Sequence, residues 1–198
     1  MVDASTFPLE ENITRTREVV DMAHACGIPV EGELGYVPGV EGEDAERHPG
    51  EVVYTTVAEA SRYRDETGVD FLAVSIGTVH GRMRGEPKLD FERLAEINAS
   101  LKIPLVIHGG TGLGADQFRA LIENGVTKIN YYTALADAAG QRISGNAQAA
   151  GSGSYTTLLR DVSAAVQQEA ARCIDIWDSS GRAEALLASC RQWRPVEH

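Results

Sequence analysis

The chain has few cysteines and few aromatic residues. Its 198 residues include three cysteines, Cys26, Cys173 and Cys190, and only 6% Phe, Trp and Tyr. The cysteines lie far apart and form no CxxC pair, so we expect a reducing compartment and no structural disulfide. Twenty glycines and 43% hydrophobic residues are typical of a glycine-rich α/β protein rather than an all-β one. The length fits one domain with a sizeable core.

Long apolar runs and an excess of positive charge are also missing. No run approaches the ~18 apolar residues of a membrane span, and no basic segment follows Met1 as in a signal peptide. We therefore expect a cytoplasmic protein. The formal net charge of −11 argues against a nucleic-acid surface, because such a surface is basic. An anionic small-molecule substrate remains compatible with this charge, since a metal or a nest of backbone amides outweighs the global field locally.

Short apolar segments alternate with helical patterns along the chain. Strands are predicted at residues 1–5, 28–35, 71–77, 104–108 and 126–131. Helices are predicted at 8–27, 56–67, 91–100, 115–124 and 133–149, with a tail of two more at about 156–176 and 182–192. The polar segments 36–54 and 81–90 lack periodicity and are predicted as loops. Repeated strand–helix units predict a parallel sheet.

The distinctive polar residues all follow the carboxyl ends of these strands, where a (β/α)₈ TIM barrel places its active site. Such a barrel typically needs ~250 residues and eight strands. This chain supplies five strands, so the missing three would precede Met1. The predicted fold is therefore a partial barrel, about strands 4–8, in residues 1–150, followed by a helical tail in residues 151–198.

Two strands end in a His-Gly pair. His80-Gly81 follows the strand at 71–77, and His108-Gly109 follows the next strand and opens a Gly-Gly-Thr-Gly turn. Imidazole binds metals, and a glycine loop that leads into a helix holds phosphate through its amides. The matched positions of His80 and His108 favour a metal site. His24 is predicted to pack on a helix face, and His48 and His198 are predicted to be inert.

Two carboxylates share one face of the second strand. Glu31 and Glu33 are two residues apart, which places both side chains on the same side. Like charges on a buried face are costly unless a cation or hydrogen-bond donors meet them. Glu33 is favoured for the site, and a structural ion pair with a lysine is the alternative for the pair. In the following polar segment, Glu41 is the candidate acid or base, with Glu43 and Asp44 as rivals.

These residues resemble the class II, zinc-dependent ketose-bisphosphate aldolase family, of the fructose- and tagatose-bisphosphate types. The resemblance covers roughly residues 1–142 and is weaker in the tail. It rests on ordered motifs at residues 2–13, 30–35 (Val-Glu-Gly-Glu-Leu-Gly), 68–81, 86–91, 108–112 (His-Gly-Gly-Thr-Gly) and 128–130 (Lys-Ile-Asn).

The resemblance implies a lyase of carbohydrate metabolism such as glycolysis. It would cleave or form a ketose 1,6-bisphosphate from dihydroxyacetone phosphate and an aldehyde through an enediolate that Zn²⁺ stabilises. It implies a homodimer or homotetramer, with no nucleic-acid or membrane partner. The resemblance implies that His80 and His108 bind zinc, with Glu33 at the metal, and that Glu41 is the acid/base. The implied substrate or phosphate contacts are Gly81, Gly109, Gly110, Thr111, Asn130, Tyr132 and Thr133. Carbonyls of Gly81 and Gly109 would also lie near a Na⁺ or K⁺ site.

The chain departs from the family pattern in two places. The family's Asp-His pair on the third strand, which supplies a third zinc ligand and the acid for the aldehyde oxygen, has no counterpart in residues 1–198. Tyr132 stands where fructose-type members often have Asp, which leaves the aldehyde open. The alternatives are a catalytically inactive fragment that acts as a binding or assembly unit, and another zinc-dependent barrel enzyme such as a hydrolase.

Overall fold

The chain folds around a parallel sheet. The computed structural model describes residues 1–46, 54–85, 87–151 and 153–190. Its strands are β1 (Glu31–Leu34), β2 (Gly39–Glu46), β3 (Phe71–Val74), β4 (His80–Arg84), β5 (Leu105–Ile107) and β6 (Val126–Ile129). Its helices are α1 (Leu9–His24), α2 (Val57–Thr67), α3 (Phe91–Leu101), α4 (Ala115–Glu123), α5 (Thr133–Ala150), α6 (Tyr155–Leu158), α7 (Val162–Ile176) and α8 (Ala183–Cys190).

The main sheet has the order β1-β3-β5-β6, and all of its pairs are parallel. Val2 adds an isolated parallel bridge to Gly32, so the predicted first strand is present only as this contact. Within the described ranges the sheet stays open and forms no closed barrel. The prediction of a parallel strand–helix architecture is therefore confirmed, as an arc of sheet rather than a complete barrel.

The core lies between this sheet and the helices that cover it. Leu72, Leu105 and Ile107 are completely buried in the strands, and Leu94 and Leu121 are completely buried on α3 and α4. Strands buried on both faces read as continuous apolar runs, which explains why periodicity located them. Both ends of α2 agree with the sequence signals. A capping box at Thr56 begins the helix, and Gly68, in the left-handed conformation with φ 73°, ends it.

The two polar segments predicted as loops are corrected by the structure. β2 and β4 pair in parallel as a second, two-stranded sheet, with Gly39 opposite His80. Their segments follow β1 and β3, which are neighbours in the main sheet and leave it at the same edge, so the two chains emerge side by side and pair. This pairing joins residues that are far apart in the sequence. The two strands also lack the apolar alternation by which a strand is predicted from sequence.

The carboxy-terminal helices pack back on the strand–helix units. α7 lies against α5, and the predicted tail helix at 156–176 is divided into α6 and α7. Trp177, just after α7, meets Phe118 and Tyr131 edge-on, with ring centroids 5.6 Å from each. Within the described part of the chain, no helix combines the length and apolar character that a membrane crossing needs.

Of the histidines set aside by the sequence, one is placed differently from expectation. His24 is exposed at the end of α1, and its Nε2 lies 2.9 Å from Asp70 Oδ2, so it makes a polar contact at the surface rather than packing on a helix face. His48 and His198 lie outside the described residues, as does Glu86 of the 86–91 motif. Cys26 is an exposed free thiol, and Cys173 is a buried one.

Candidate active site at the carboxyl ends of the strands

His108 occupies the centre of the candidate site. It follows β5, is 7% exposed, and is surrounded by carboxylates from β1, two strands away in the sheet. Its Nε2 lies 3.1 Å from Glu31 Oε1, and its Nδ1 lies 3.5 Å from Glu33 Oε2. The period-two placement of Glu31 and Glu33 therefore brings both side chains to the same imidazole.

The two carboxylates differ in electrostatic state although they share a face. Burial alone would raise the pKa of Glu31, but hydrogen bonds from His108 and Lys128 lower it to about 2. Lys128 Nζ lies 2.5 Å from Glu31 Oε2, so the alternative of a lysine ion pair holds for this member of the pair. Burial raises the pKa of Glu33 to about 7, and the nearby charges of Asp3 and Glu31 add to that increase while His108 opposes it.

Glu33 has the chemistry of a metal ligand. Its side chain is 2% exposed, and its Oε2 is buried without a hydrogen-bond partner. Glu31 and Glu33 thus flank the two nitrogens of the His108 ring, with Glu33 on the Nδ1 side. An imidazole nitrogen and a buried carboxylate oxygen are both ligand types that zinc binds. Ligands ~2.0–2.1 Å from a tetrahedral zinc ion lie ~3.3 Å apart, close to the observed separation of 3.5 Å.

His80 lies beside this pair. Its ring meets that of His108 edge-on, with centroids 5.7 Å apart. Its Nδ1 lies 3.1 Å from the carbonyl oxygen of Val37, which only accepts, so Nδ1 donates a hydrogen bond there. Nε2 is then the ring nitrogen that could bind a metal. The residues present therefore fit zinc, with two imidazoles and one carboxylate. Among the described residues, no three His, Cys, Asp or Glu side chains already converge closely enough to form a metal cluster.

The glycines next to both histidines allow close backbone packing. Gly109 has φ 71°, and a Cβ there would lie 2.1 Å from the carbonyl oxygen of Val79. Gly81 has φ 88°, and a Cβ there would lie 2.4 Å from the carbonyl oxygen of Glu43. The close backbone packing and the positive φ angles are therefore enough to explain why glycine stands at both positions, whether or not either residue also contacts phosphate. Gly110 faces the Phe118 ring.

The start of α5 joins the glycine turn to the polar segment of Glu41. Thr111 Oγ1 accepts from the amide of Ala134 at 3.3 Å. Thr133, the first residue of α5, is buried; its hydroxyl donates to Glu41 Oε2 at 2.5 Å and accepts from the amide of Gly42 at 3.1 Å. Glu41 is thereby held on β2 at a helix N-terminus, a position that favours anions.

Arg82 fastens this region from the β4 side. Its guanidinium forms a bidentate ion pair with Asp137 of α5 and donates to the carbonyl of Gly42 at 2.8 Å. Its charge is balanced by Asp137, and Asp44 lies 3.7 Å away.

Asn130 and Tyr132 follow β6 and differ in placement. Asn130 Nδ2 lies 2.7 Å from His108 Nε2, so this amide belongs to the same cluster as the histidine. Tyr132 is 58% exposed. The sequence analysis included Lys128 in the motif at 128–130 and allowed a lysine as partner of the glutamates, but it gave Lys128 no role in the site. A signal was available, because Lys128 lies two residues before Asn130 and period two puts both on one face.

Two comparisons place this geometry among known proteins. The family model described as fructose-bisphosphate aldolase class-II matches residues 1–182. Among solved structures, the chain is similar to the YdjI aldolase of Escherichia coli K12, with 35% identity, a TM-score of 0.74, and coverage of 92% of this chain and 60% of that one.

Two further structures extend the comparison. A putative fructose-1,6-biphosphate aldolase from Coccidioides immitis is 35% identical, with a TM-score of 0.79, over 93% of this chain and 64% of that one. A fructose-bisphosphate aldolase (Fba) from Campylobacter jejuni is 19% identical, with a TM-score of 0.70, over 89% of this chain and 59% of that one, and supports the fold alone. The chain thus spans about three fifths of the length of each of these structures.

Proposed function

The chain belongs to the class II fructose-bisphosphate aldolase family, and from this premise we propose that it serves zinc-dependent aldol cleavage and condensation. The substrate is a ketose 1,6-bisphosphate of the fructose or tagatose type, and the reaction passes through the enediolate of dihydroxyacetone phosphate. The observation that carries the proposal is the cluster of His80, His108 and Glu33, in which His108 Nδ1 lies 3.5 Å from a buried Glu33 oxygen that has no hydrogen-bond partner.

His80 Nε2, His108 Nδ1 and Glu33 Oε2 are the donors that would hold the metal. A bound zinc ion supplies Lewis acidity, which polarises the ketone and favours loss of a proton from the adjacent carbon. Burial of Glu33 and His108 excludes water from this side of the site, so charges there interact more strongly than in solvent. Asn130, in contact with His108, is proposed to hydrogen-bond a substrate hydroxyl or the enediolate oxygen.

Glu41 is the residue proposed to take and return the substrate proton. Its carboxylate is exposed on β2 and is held by the Thr133 hydroxyl, so one hydrogen bond separates it from the phosphate-binding region. A general base must lie within hydrogen-bond distance of the proton that it removes. The exposed side chain of Glu41, on the strand next to α5, is proposed to reach the substrate in this way. Of the two rivals, Asp44 lies 3.7 Å from Arg82, and the carbonyl of Glu43 lies close to Gly81.

The phosphate site is assigned to the glycine turn and the start of α5. Gly81, Gly109 and Gly110 offer backbone groups, and Thr111 and Thr133 offer hydroxyls beside a helix N-terminus. Carbonyls of Gly81 and Gly109 are the proposed neighbours of a monovalent cation, Na⁺ or K⁺. Tyr132 is proposed to face the aldehyde portion of the sugar, where its exposed phenol would fill space without pairing with a charged group.

Metal binding tests the carrying observation directly. We expect the purified chain to bind Zn²⁺, and His80→Ala and His108→Ala each to lose most of that affinity, because a site of three donors has no reserve. His24→Ala, which removes an exposed histidine far along the chain from the site, is the matched control. Full zinc retention in either site variant would contradict the assignment.

A chimaera tests the reaction. Joining residues 1–198 to the part of the Coccidioides relative that this chain does not cover would restore the full length of that structure. Cleavage of fructose or tagatose 1,6-bisphosphate, followed by a coupled triose-phosphate assay, would support the proposal. A folded, zinc-loaded chimaera without turnover would favour the alternative, a non-catalytic binding or assembly unit. Sedimentation of the chimaera would test the proposed homodimer or homotetramer.

A further inference from the structure

An ion pair outside the metal cluster joins three elements of the fold. Arg82 of β4 binds Asp137 of α5 with one edge of its guanidinium and the carbonyl of Gly42 of β2 with the remaining nitrogen. Gly42 directly follows Glu41, the residue proposed to transfer the proton. We propose that Arg82 and Asp137 are positioning residues that hold β2 against α5 and thereby fix the Glu41 carboxylate beside the substrate. This inference rests on the proposed function, because it takes Glu41 as the acid/base.

The ladder between β2 and β4 is interrupted where Glu41 lies. Gly39 pairs with His80, and Asp44 pairs with Arg82. Five residue steps on β2 therefore match two on β4, and the surplus residues of β2 bulge out of the ladder. A bulge re-aims side chains and is common next to active sites. Regular strand pairing thus leaves the direction of the Glu41 side chain open, and other contacts must determine it.

Two contacts with α5 hold the bulged residues. At the first, Thr133 Oγ1 accepts from the amide of Gly42 at 3.1 Å and donates to Glu41 Oε2 at 2.5 Å. At the second, Arg82 Nη1 donates to the carbonyl of Gly42 at 2.8 Å, while its Nε donates to Asp137 Oδ2 at 2.6 Å. Thr133 and Asp137 are four residues apart, so they lie one turn apart on one face of α5.

The amide and the carbonyl of Gly42 are therefore both attached to the same helix, one directly and one through Arg82. Packing adds little here, since a Cβ on Gly42 would meet none of the described atoms within 4 Å. One attachment would still allow the backbone next to Glu41 to rotate, whereas two attachments a helical turn apart fix its position and its direction. The hydrogen bond from Thr133 to the Glu41 carboxylate then depends on the second attachment.

The exposure of the ion pair distinguishes positioning from simple stabilisation. The side chains of Arg82 and Asp137 are 41% and 24% exposed, and ion pairs near the surface contribute little to stability. Their removal should therefore leave the fold intact while it releases the bulge. The guanidinium holds its donors in a planar fork, which the point charge of lysine does not reproduce. Arg82→Lys should for this reason replace the parent side chain only in part.

Amide hydrogen exchange at Gly42, followed by NMR in purified residues 1–198, measures the attachment directly. The variants are Arg82→Met and Asp137→Asn. Arg182→Met and Asp178→Asn are the matched controls, because this exposed arginine between α7 and α8 likewise binds a carboxylate and a backbone carbonyl. Both site variants should exchange Gly42 ~10–100-fold faster, the range that loss of a hydrogen bond to a charged group gives. The controls should keep the parent rate.

Steady-state kinetics in the chimaera measure the consequence for proton transfer. Arg82→Met should lower kcat by ~10²-fold with little change in KM, because a displacement of ~1 Å costs about this much and Glu41 acts in the transition state. Arg82→Lys should recover part of the loss. In a Glu41→Ala background, Arg82→Met should have little further effect, since both changes act through the same carboxylate.

Parent-like exchange at Gly42 in folded Arg82→Met, judged by circular dichroism, would overturn the inference. If this variant fails to fold, the milder Asp137→Asn decides by the same measurement. In an active chimaera, a parent-like kcat of Arg82→Met, or effects of Arg82→Met and Glu41→Ala that add fully, would also overturn it. A folded chimaera without turnover would instead count against the proposed function, and the exchange rate of Gly42 would then decide the inference by itself.

Discussion

Replacing Glu33 by Gln should change the pH dependence of stability in the metal-free protein. Burial raises the pKa of Glu33 from 4.5 to about 7, so the folded chain binds this proton more tightly than the unfolded chain. Its contribution to stability is therefore complete below about pH 4.5 and is lost as the pH rises through about 7. At ~1.4 kcal/mol per pKa unit, the free energy of unfolding should fall by about 3 kcal/mol across this window because of Glu33 alone.

Gln cannot ionise, so Glu33→Gln should lack this loss. Relative to the parent, the variant should gain about 3 kcal/mol of unfolding free energy between mildly acidic and mildly alkaline pH. The assay is urea denaturation at a series of pH values in the presence of a chelator. Glu31 does not interfere, because its pKa is lowered to about 2 and its stabilisation is lost only as the pH falls below about 4.5.

Glu18→Gln is the matched control, since it removes one exposed carboxylate of α1 from a chain of net charge −11. Added Zn²⁺ should reverse the ranking at alkaline pH, because the metal compensates the ionised Glu33 and stabilises only the parent. Parallel pH profiles for the parent and Glu33→Gln would refute the reasoning, as they would mean that Glu33 titrates like an exposed carboxylate.

Three further predictions concern the proposed roles of single residues. In the chimaera, Glu41→Ala should lower kcat by ~10²–10⁴ without unfolding the protein, whereas an unchanged kcat in steady-state assays would move the proton transfer to another residue. Tyr132→Asp should alter the preference between fructose and tagatose bisphosphates, and identical kcat/KM ratios would remove Tyr132 from the specificity argument. Gly109→Ala should lower the thermal midpoint strongly, since its Cβ would lie 2.1 Å from a carbonyl oxygen at φ 71°, while Gly140→Ala, with nothing within 4 Å, should not.

The elements that periodicity predicted are those whose side chains are apolar and face the core. Strands β3 and β5 were located because Leu72 and Leu105 belong to uninterrupted buried runs. Helix ends were located where a local signal exists, as at Thr56 and Gly68. β2 and β4 were missed because both strands are polar. They are stabilised by pairing with each other, by the bond from Arg82 of β4 to Gly42 of β2, and by packing against α5. The residues that make these contacts lie far apart in the sequence.

The candidate site was predictable in membership but not in electrostatic state. The strand-end position of His108 and the two-residue spacing of Glu31 and Glu33 made these three residues candidates for the site. Nothing in the sequence separates the two glutamates, since they are the same residue type on the same face. A pKa of about 2 for Glu31 follows from its hydrogen bonds with His108 and Lys128, both far along the chain, and a pKa of about 7 for Glu33 follows first from its burial.

The Lys128–Glu31 contact also bears on the shape of the sheet. In the order β1-β3-β5-β6, three inter-strand steps separate these residues, and in a flat sheet the two backbones would be ~14 Å apart. Side chains that point perpendicular to a flat sheet would stay at that separation, yet Lys128 Nζ and Glu31 Oε2 lie 2.5 Å apart. The sheet must therefore curve so that these side chains converge on its concave side, as the interior side chains of a barrel do. The same curvature brings His108 of the intervening strand onto Glu31, so the geometry of the candidate metal site depends on this arc.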